Sequence, residues 1–304
     1  MSEPFVIAVD LGGTQLRAAL VNKAGNILER ESVLTKAQEG PEVVVSQIGQ
    51  LVQTIKTKAA GKDVLGVGVS SPGPLDTVQG LALSLPTMKG FTEFPLLQAL
   101  RDVIQMDVMF ENDGIAAAIG EWRLGAGVGL KNLVYVTVST GIGGGVIVDN
   151  HVMRGRKGMA GHVGHMSITR DGTRCSCGNM GCIEAYAAGP AFTARARRVL
   201  GDETISTADI FNLARQGNVQ ALALIDDEAT LLGQGFTSLL HLFSPDVLVM
   251  GGGLSNEFEM LYPIIQRYIA ENAMDAFKDV PVVKAKLGGN SGLIGAASLV
   301  FDAI

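Results

Sequence analysis

Cys175, Cys177 and Cys182 are the only cysteines of the chain, and they fall within eight residues of one another, with His165 ten residues before the first. Three thiolates and one imidazole are the ligand set of a closed tetrahedral zinc site, structural because no coordination position stays open. Three clustered cysteines cannot build a disulfide framework, so metal is the better use for them. A second chemistry is written in glycines. Asp10-Leu11-Gly12-Gly13-Thr14 and Ser139-Thr140-Gly141-Ile142-Gly143-Gly144 each put polar residues and glycines directly after an apolar run. Glycines let backbone N–H groups approach phosphate oxygens, the hydroxyls of Thr14 and Thr140 add donors, and Asp10 can hold magnesium through water. A plain hairpin turn accounts for the first segment alone equally well. Two such turns at matching places are more specific than either. Gly251-Gly252-Gly253 follows the apolar Val247-Leu248-Val249-Met250, where an open α/β sheet places its ligands. Glu111-Asn112-Asp113 offers a third chemistry. Asp113 can take a proton from a hydroxyl that attacks phosphorus, while Asn112 holds the same substrate. An Asp N-cap is a sufficient structural account of the same residue.

The elements that must position these residues read as alternating strands and helices, hence α/β layers. Residues 5–10 and 15–21 are predicted strands about the Gly12-Gly13 turn, and 22–26 make a further turn. A helix fits 41–60, with Pro41 in its first turn. Strand 64–70 is broken by Ser71-Pro72-Gly73-Pro74; 95–104 reads as helix, 107–110 as extended and 113–124 as helix. Residues 133–148 repeat the strand–glycine–strand pattern of 6–21, which suggests two structurally related halves facing one another. Beyond 185 the chain is mainly helical. Leu222, Ile225, Ala229, Leu232, Phe236, Leu239 and Phe243 mark one stripe of a long helix, a core or subunit-interface face. A last helix fits 291–303.

Composition narrows the function. The chain has 304 residues, 47% hydrophobic and 18% charged, which is globular and core-rich and suggests two domains. Glycine, 39 residues or about 13%, is nearly twice its usual roughly 7%. The net charge of −6 and a single short basic cluster, Arg195, Arg197 and Arg198, disfavour nucleic acid. Arginines at that spacing fit the wet face of a helix. The uncharged stretch 132–148 holds four glycines and cannot span a membrane. Met1-Ser2-Glu3-Pro4 shows no basic leader region or cleavage site, so a cytoplasmic location is expected.

Taken together, these segments resemble the ROK sugar kinases (repressor, open reading frame, kinase). The matches are Asp10–Thr14, Gly66-Val67-Gly68-Val69-Ser70-Ser71-Pro72-Gly73-Pro74-Leu75-Asp76, Glu111-Asn112-Asp113, residues 139–145, Gly164-His165-Met166, the cysteine segment from Cys175 to Glu184, and Gly251–Gly253. They run in family order along nearly the whole chain, and the cysteine segment is the most specific. The resemblance implies an actin-like ATPase (ribonuclease H-like) fold with two domains around a central cleft. A smaller α/β domain at 1–117 would precede a larger one at 118–304, which carries a zinc module at 165–184. The last helix, at about 291–303, would pack back on the first domain.

The implied activity is ATP-dependent phosphorylation of a hexose 6-hydroxyl, with glucose first. Another hexose (N-acetylglucosamine, N-acetylmannosamine, fructose, mannose or allose) is the alternative. A non-catalytic sugar-responsive regulator of the same family is the remoter one, although such regulators carry an N-terminal winged-helix segment and here the nucleotide strand is predicted from Phe5. The resemblance assigns Asp113 as catalytic base, and Asn112, Asp113, His165, Glu184 and Gly73 to the sugar. Asp10, Gly12, Gly13, Thr14, Thr140, Gly141, Gly143, Gly251, Gly252 and Gly253 go to ATP and magnesium, and His165, Cys175, Cys177 and Cys182 to structural zinc. A homodimer or homotetramer is expected. Position 162 departs from the pattern, with His162 standing three residues before His165 where similar sequences place Glu. His162 is therefore taken as the sugar contact at that place. Residues 85–91 match the family's sugar-side loop only loosely.

Overall fold

In the computed structural model, residues 3–303 are described. Met1 and Ser2, on which the leader argument rests, and Ile304, the end of the second predicted domain, lie outside the described residues. The chain opens with β1 (Pro4–Leu11), β2 (Gln15–Asn22), β3 (Ile27–Leu34), α1 (Pro41–Lys58) and β4 (Asp63–Ser71). Next come β5 (Leu75–Asp76), β6 (Leu81–Ser84), β7 (Thr92–Phe94), α2 (Leu96–Ile104), β8 (Val108–Asn112) and α3 (Asp113–Leu124). The middle holds β9 (Leu133–Val138), β10 (Ile142–Val148), β11 (His151–Val152), α4 (Glu184–Ala187), α5 (Gly189–Leu200), α6 (Thr207–Arg215) and α7 (Val219–Phe243). β12 (Val247–Gly251), α8 (Phe258–Asn272), β13 (Val282–Lys284) and α9 (Ser291–Phe301) close it.

Two compact units result. One comprises the described residues up to Gly129, His151–Gly161 and the chain from Lys286; the other comprises Leu130–Asn150 and His162–Ala285. The sequence division at 117/118 falls inside α3, which stays whole in the first unit.

The first unit is built on a sheet in the order β3-β2-β1-β4-β8, antiparallel from β3 to β1 and parallel from β1 to β8. β1 is apolar on both faces, as a strand covered on both sides must be. Ile7, Val9 and Leu11 pack with Val44, Ile48 and Ile55 of α1. Val6 and Ala8, pointing the other way, pack with Leu293, Ala296 and Val300 of α9. Glycine permits that second contact: a Cβ at Gly68 of β4 would lie 1.9 Å from the Ala296 carbonyl oxygen. β5, β6 and β7 form a small separate sheet.

The second unit repeats the plan. β10-β9-β12-β13 runs antiparallel and then parallel, as β2-β1-β4-β8 does. The long α7 is capped by the Asn218 side chain, which accepts from the Ala221 N–H, and it ends at Ser244, left-handed at φ 44°, just before Pro245.

Candidate functional site

In the first unit, the parallel strands β1, β4 and β8 end at one edge of the sheet, and the predicted residues gather there. The register sets Asp10 opposite Arg17 on one side and Ser70 on the other, and Ser71 opposite Asn112. Asp10 Oδ1 accepts from the Ser70 hydroxyl at 3.1 Å, and Oδ2 from Arg17 Nε at 3.0 Å and from the same guanidinium's Nη2. Three of the carboxylate's roughly four lone-pair sites are thus taken and Oδ1 keeps one to spare, so a hydrated magnesium ion fits beside Asp10. The Gly12–Thr14 turn is braced by Thr35, whose hydroxyl donates to the Gly12 carbonyl at 2.7 Å and whose N–H donates to the Thr14 carbonyl at 2.9 Å. Gly73 follows the end of β4, half-buried.

At the end of β8 the structure corrects one reading. The N-cap of α3 is Asn112, not Asp113: its Oδ1 accepts from the N–H of Gly114 at 3.0 Å and of Ile115 at 3.4 Å. Asp113 is the first helical residue, and its carboxylate accepts the Gly114 N–H at 2.7 Å and is also hydrogen-bonded by the Asn112 side chain. One side chain caps, which leaves the other for chemistry. Asp113 has a face open to solvent, yet the protein crowded about its carboxyl group desolvates it and raises its pKa from 3.8 to about 6. The charge of Asp10 pushes the same way, against the Gly114 hydrogen bond. A carboxylate poised there suits a general base near neutral pH.

In the second unit, β9 and β12 end side by side. Thr140 and Gly141 form the turn before β10, Gly143 lies within β10, and Gly251–Gly253 continues from β12. A Cβ at Gly252, where φ is 82°, would sit 2.4 Å from the Val138 carbonyl oxygen, so only glycine lets the two turns lie together. Ser139 and Thr140 are exposed, their hydroxyls available as donors.

After β10 the chain forms the metal centre. One atom each from His165, Cys175, Cys177 and Cys182 lies within 4.8 Å of all the others. The Cys177 and Cys182 sulfurs are 3.7 Å apart, and Cys175 Sγ is 3.6 Å from His165 Nδ1. A tetrahedral zinc ion with Zn–S about 2.3 Å and Zn–N about 2.0–2.1 Å calls for about 3.8 Å and about 3.6 Å. The four residues fit zinc. Burial and the neighbouring thiols push the Cys182 thiol up to about 12, a proton that a bound cation would displace. His162 is half-buried, its ring stacked on that of His165 at 6.0 Å between centroids. Glu184 opens α4, its carboxylate 3.9 Å from His165 Nδ1.

Sequence reasoning missed the residues that brace these groups. Arg17 and Ser70 could have been found, since each is the cross-strand neighbour of Asp10. Glu111 is buried, accepts the Asn112 N–H at 3.0 Å and pairs with Arg154 at 2.9 Å. Glu121 is fully buried and accepts from the N–H groups of Ala126, Lys286 and Leu287 and from the Ser291 hydroxyl, tying the segment before α9 to α3. The arginine cluster also needs correction. Arg195 is not on a wet face: it pairs at 2.6 Å with Glu228, which is fully buried and raised to about 8 by desolvation.

The comparisons with known proteins cover almost the whole chain. The model described as ROK family matches residues 6–303. A glucokinase of Streptomyces coelicolor is 34% identical, with 97% of each chain covered. An N-acetylmannosamine kinase of Yersinia pseudotuberculosis is 31% identical, with 96% of each covered. Among solved structures, a ROK family glucokinase from Streptomyces griseus, in complex with glucose and AMPPNP, superposes with a TM-score of 0.83 at 33% identity, covering 98% of this chain and 99% of that one.

Proposed function

The chain belongs to the ROK family, and we propose that it is an ATP-dependent hexokinase that converts glucose to glucose 6-phosphate. The observation that carries this reading is Asp113, a carboxylate raised to about 6 beside Asp10 while its neighbour Asn112 does the capping. In the proposed reaction Asp113 takes the proton of the sugar 6-hydroxyl as that oxygen bonds to the γ-phosphorus. The bond from phosphorus to the bridging oxygen breaks, and ADP leaves. Each glycine-rich turn offers backbone N–H groups to phosphate oxygens, and Asp10 would hold magnesium, which offsets phosphate charge. Asn112 and Gly73 in the first unit, and His162, His165 and Glu184 in the second, are assigned sugar-binding roles, and the zinc centre is assigned to bracing the loop that carries the latter three. Among the described residues no helix is long and apolar enough to cross a membrane.

A second reading is favoured by the N-acetylmannosamine kinase relative together with His162. A carboxylate at that position only accepts hydrogen bonds, whereas a neutral imidazole also offers one N–H, which suits the carbonyl of an N-acetyl group. A coupled ADP-release assay over a panel of glucose, mannose, fructose, allose and the N-acetylated amino sugars tests both. Glucose with the highest kcat/KM supports the first reading, N-acetylmannosamine the second, and no ADP with any sugar removes both.

A further inference from the structure

Glu184 reaches beyond the metal ligands. Its Oε2 accepts the N–H of Ile142, the first residue of β10, at 2.9 Å, while Oε1 stays 3.9 Å from both His165 Nδ1 and Cys175 Sγ. Five residues later, the Gly189 N–H donates to the Ser139 carbonyl at 2.8 Å. The segment from 184 to 189 therefore grips both ends of the 139–142 turn. That segment starts two residues after the metal ligand Cys182, and Ile183 is fixed in turn by an N–H bond to the Met166 carbonyl at 2.9 Å. The approach is close: a Cβ at Gly141 would lie 2.8 Å from Glu184 Oε2, so any larger residue there would have to displace the carboxylate. Within the turn, the Ser139 N–H donates to the Gly141 carbonyl at 2.9 Å. The N–H groups of Thr140 and Gly141 take part in none of these bonds.

We propose that Glu184 is a positioning residue for the nucleotide, coupling the metal centre to the 139–142 turn so that metal occupancy sets nucleotide affinity as well as sugar affinity. The proposal rests on reading that turn as a phosphate site. A hydrogen bond to an ionised carboxylate is among the stronger ones, and here it holds a turn in which Ser139 and Thr140 are exposed, Gly141 has no side chain and Ile142 is the buried residue. The carboxylate divides its work. Oε2 fixes the backbone, and Oε1 faces the ligand histidine and the sugar assigned there. Glu184→Gln keeps an oxygen for the Ile142 N–H but replaces the second oxygen with an NH2 group; Glu184→Ala removes both.

The test is hydrogen–deuterium exchange of peptides covering 139–145 in the zinc-loaded, ligand-free full chain, paired with calorimetric titration of a non-hydrolysable ATP analogue. Losing a charge-assisted bond should speed exchange there about tenfold in Glu184→Ala and weaken the analogue about five- to tenfold, with exchange at 4–11 unchanged. Glu184→Gln should stay within about twofold of wild type in both while its sugar Kd rises, and chelator-stripped wild type should behave like Glu184→Ala. Wild-type exchange in Glu184→Ala overturns the proposal. So does faster exchange with an unchanged analogue Kd. A wild-type chain that phosphorylates no hexose defeats the functional reading instead, because the exchange comparison involves no sugar.

Discussion

The turn after β1 and the turn after β9 stand at the same point of two units with the same strand order, but they are held in different ways. The first is braced from within its sheet. Asp10 lies between Arg17 on β2 and Ser70 on β4, each fixed by register, and Thr35 closes the turn behind it. The second carries no carboxylate, and its support comes from the segment that follows the metal centre, through Glu184 and Gly189. A charged side chain can be fixed by its neighbours on flanking strands. A Ser-Thr-Gly turn offers little to grip, so its order depends on a module inserted after β10. A repeated topology thus supports two phosphate-type turns of unequal independence.

Asp113→Asn separates the chemistry of the first unit from the order of the second, and it has the largest expected effect. The amide keeps the shape but cannot take a proton, so kcat should fall about 10²- to 10⁴-fold with sugar affinity nearly intact. A variant keeping more than about a tenth of kcat would remove Asp113 as base.

Metal removal should strike one side of the comparison only. Elemental analysis should find about one zinc per chain, because four ligands at these spacings close a single site. After chelation, sugar binding should weaken and proteolysis should begin within 163–189, with the β1–β2 hairpin still protected. Protein prepared without chelator that contains no zinc, or equal cleavage of both units, would contradict it.

Asp10→Asn addresses the other side. The magnesium concentration for half-maximal rate should rise about tenfold with sugar affinity unchanged, since only the carboxylate supplies the charge that draws the hydrated ion. An unaltered magnesium requirement would remove Asp10 from the nucleotide side.

The last effects are in pH dependence, and that of His162 is the smallest. Asp113 must be ionised to act and its pKa is raised to about 6, so kcat/KM should fall below that pH, about tenfold per unit. His162 is shifted the other way: burial and then His165 lower its pKa below the usual 6.5, against the pull of Glu184. It is thus neutral at pH 7, and its acceptor nitrogen is lost only on acidification past that lowered pKa. Apparent sugar KM should rise there by about two- to fivefold, and His162→Glu should flatten the rise. Identical KM profiles from about pH 5 to 8 in wild type and variant would turn His162 away from the sugar.

Most of what carries the proposed chemistry was legible because it is local in sequence. The glycine turns follow apolar runs, and the cysteines announce themselves by spacing; α3 is found at 113–124, where the sequence reading puts it. What escaped was set by partners distant along the chain. β3, Ile-Leu-Glu-Arg-Glu-Ser-Val-Leu, is an edge strand largely turned to solvent and looks too charged to be one. The cap went to Asn112 because both neighbours can cap and only the backbone at 112, extended at φ −62° and ψ 143°, decides between them. Glu121 reads as an ordinary helix-face charge until the chain returns at 286–291 to donate to it. Arg195 likewise looked wet until Glu228, 33 residues on, proved to be its buried partner.

The most direct test of the central claim is to incubate the full chain with ATP, magnesium and glucose and identify the product by phosphorus and carbon NMR. The expected result is stoichiometric ADP with the new phosphate ester on carbon 6, and no such signal from Asp113→Asn at equal protein concentration. A phosphate ester at any other carbon, or ADP formed at the same rate with and without a hexose, would contradict the account.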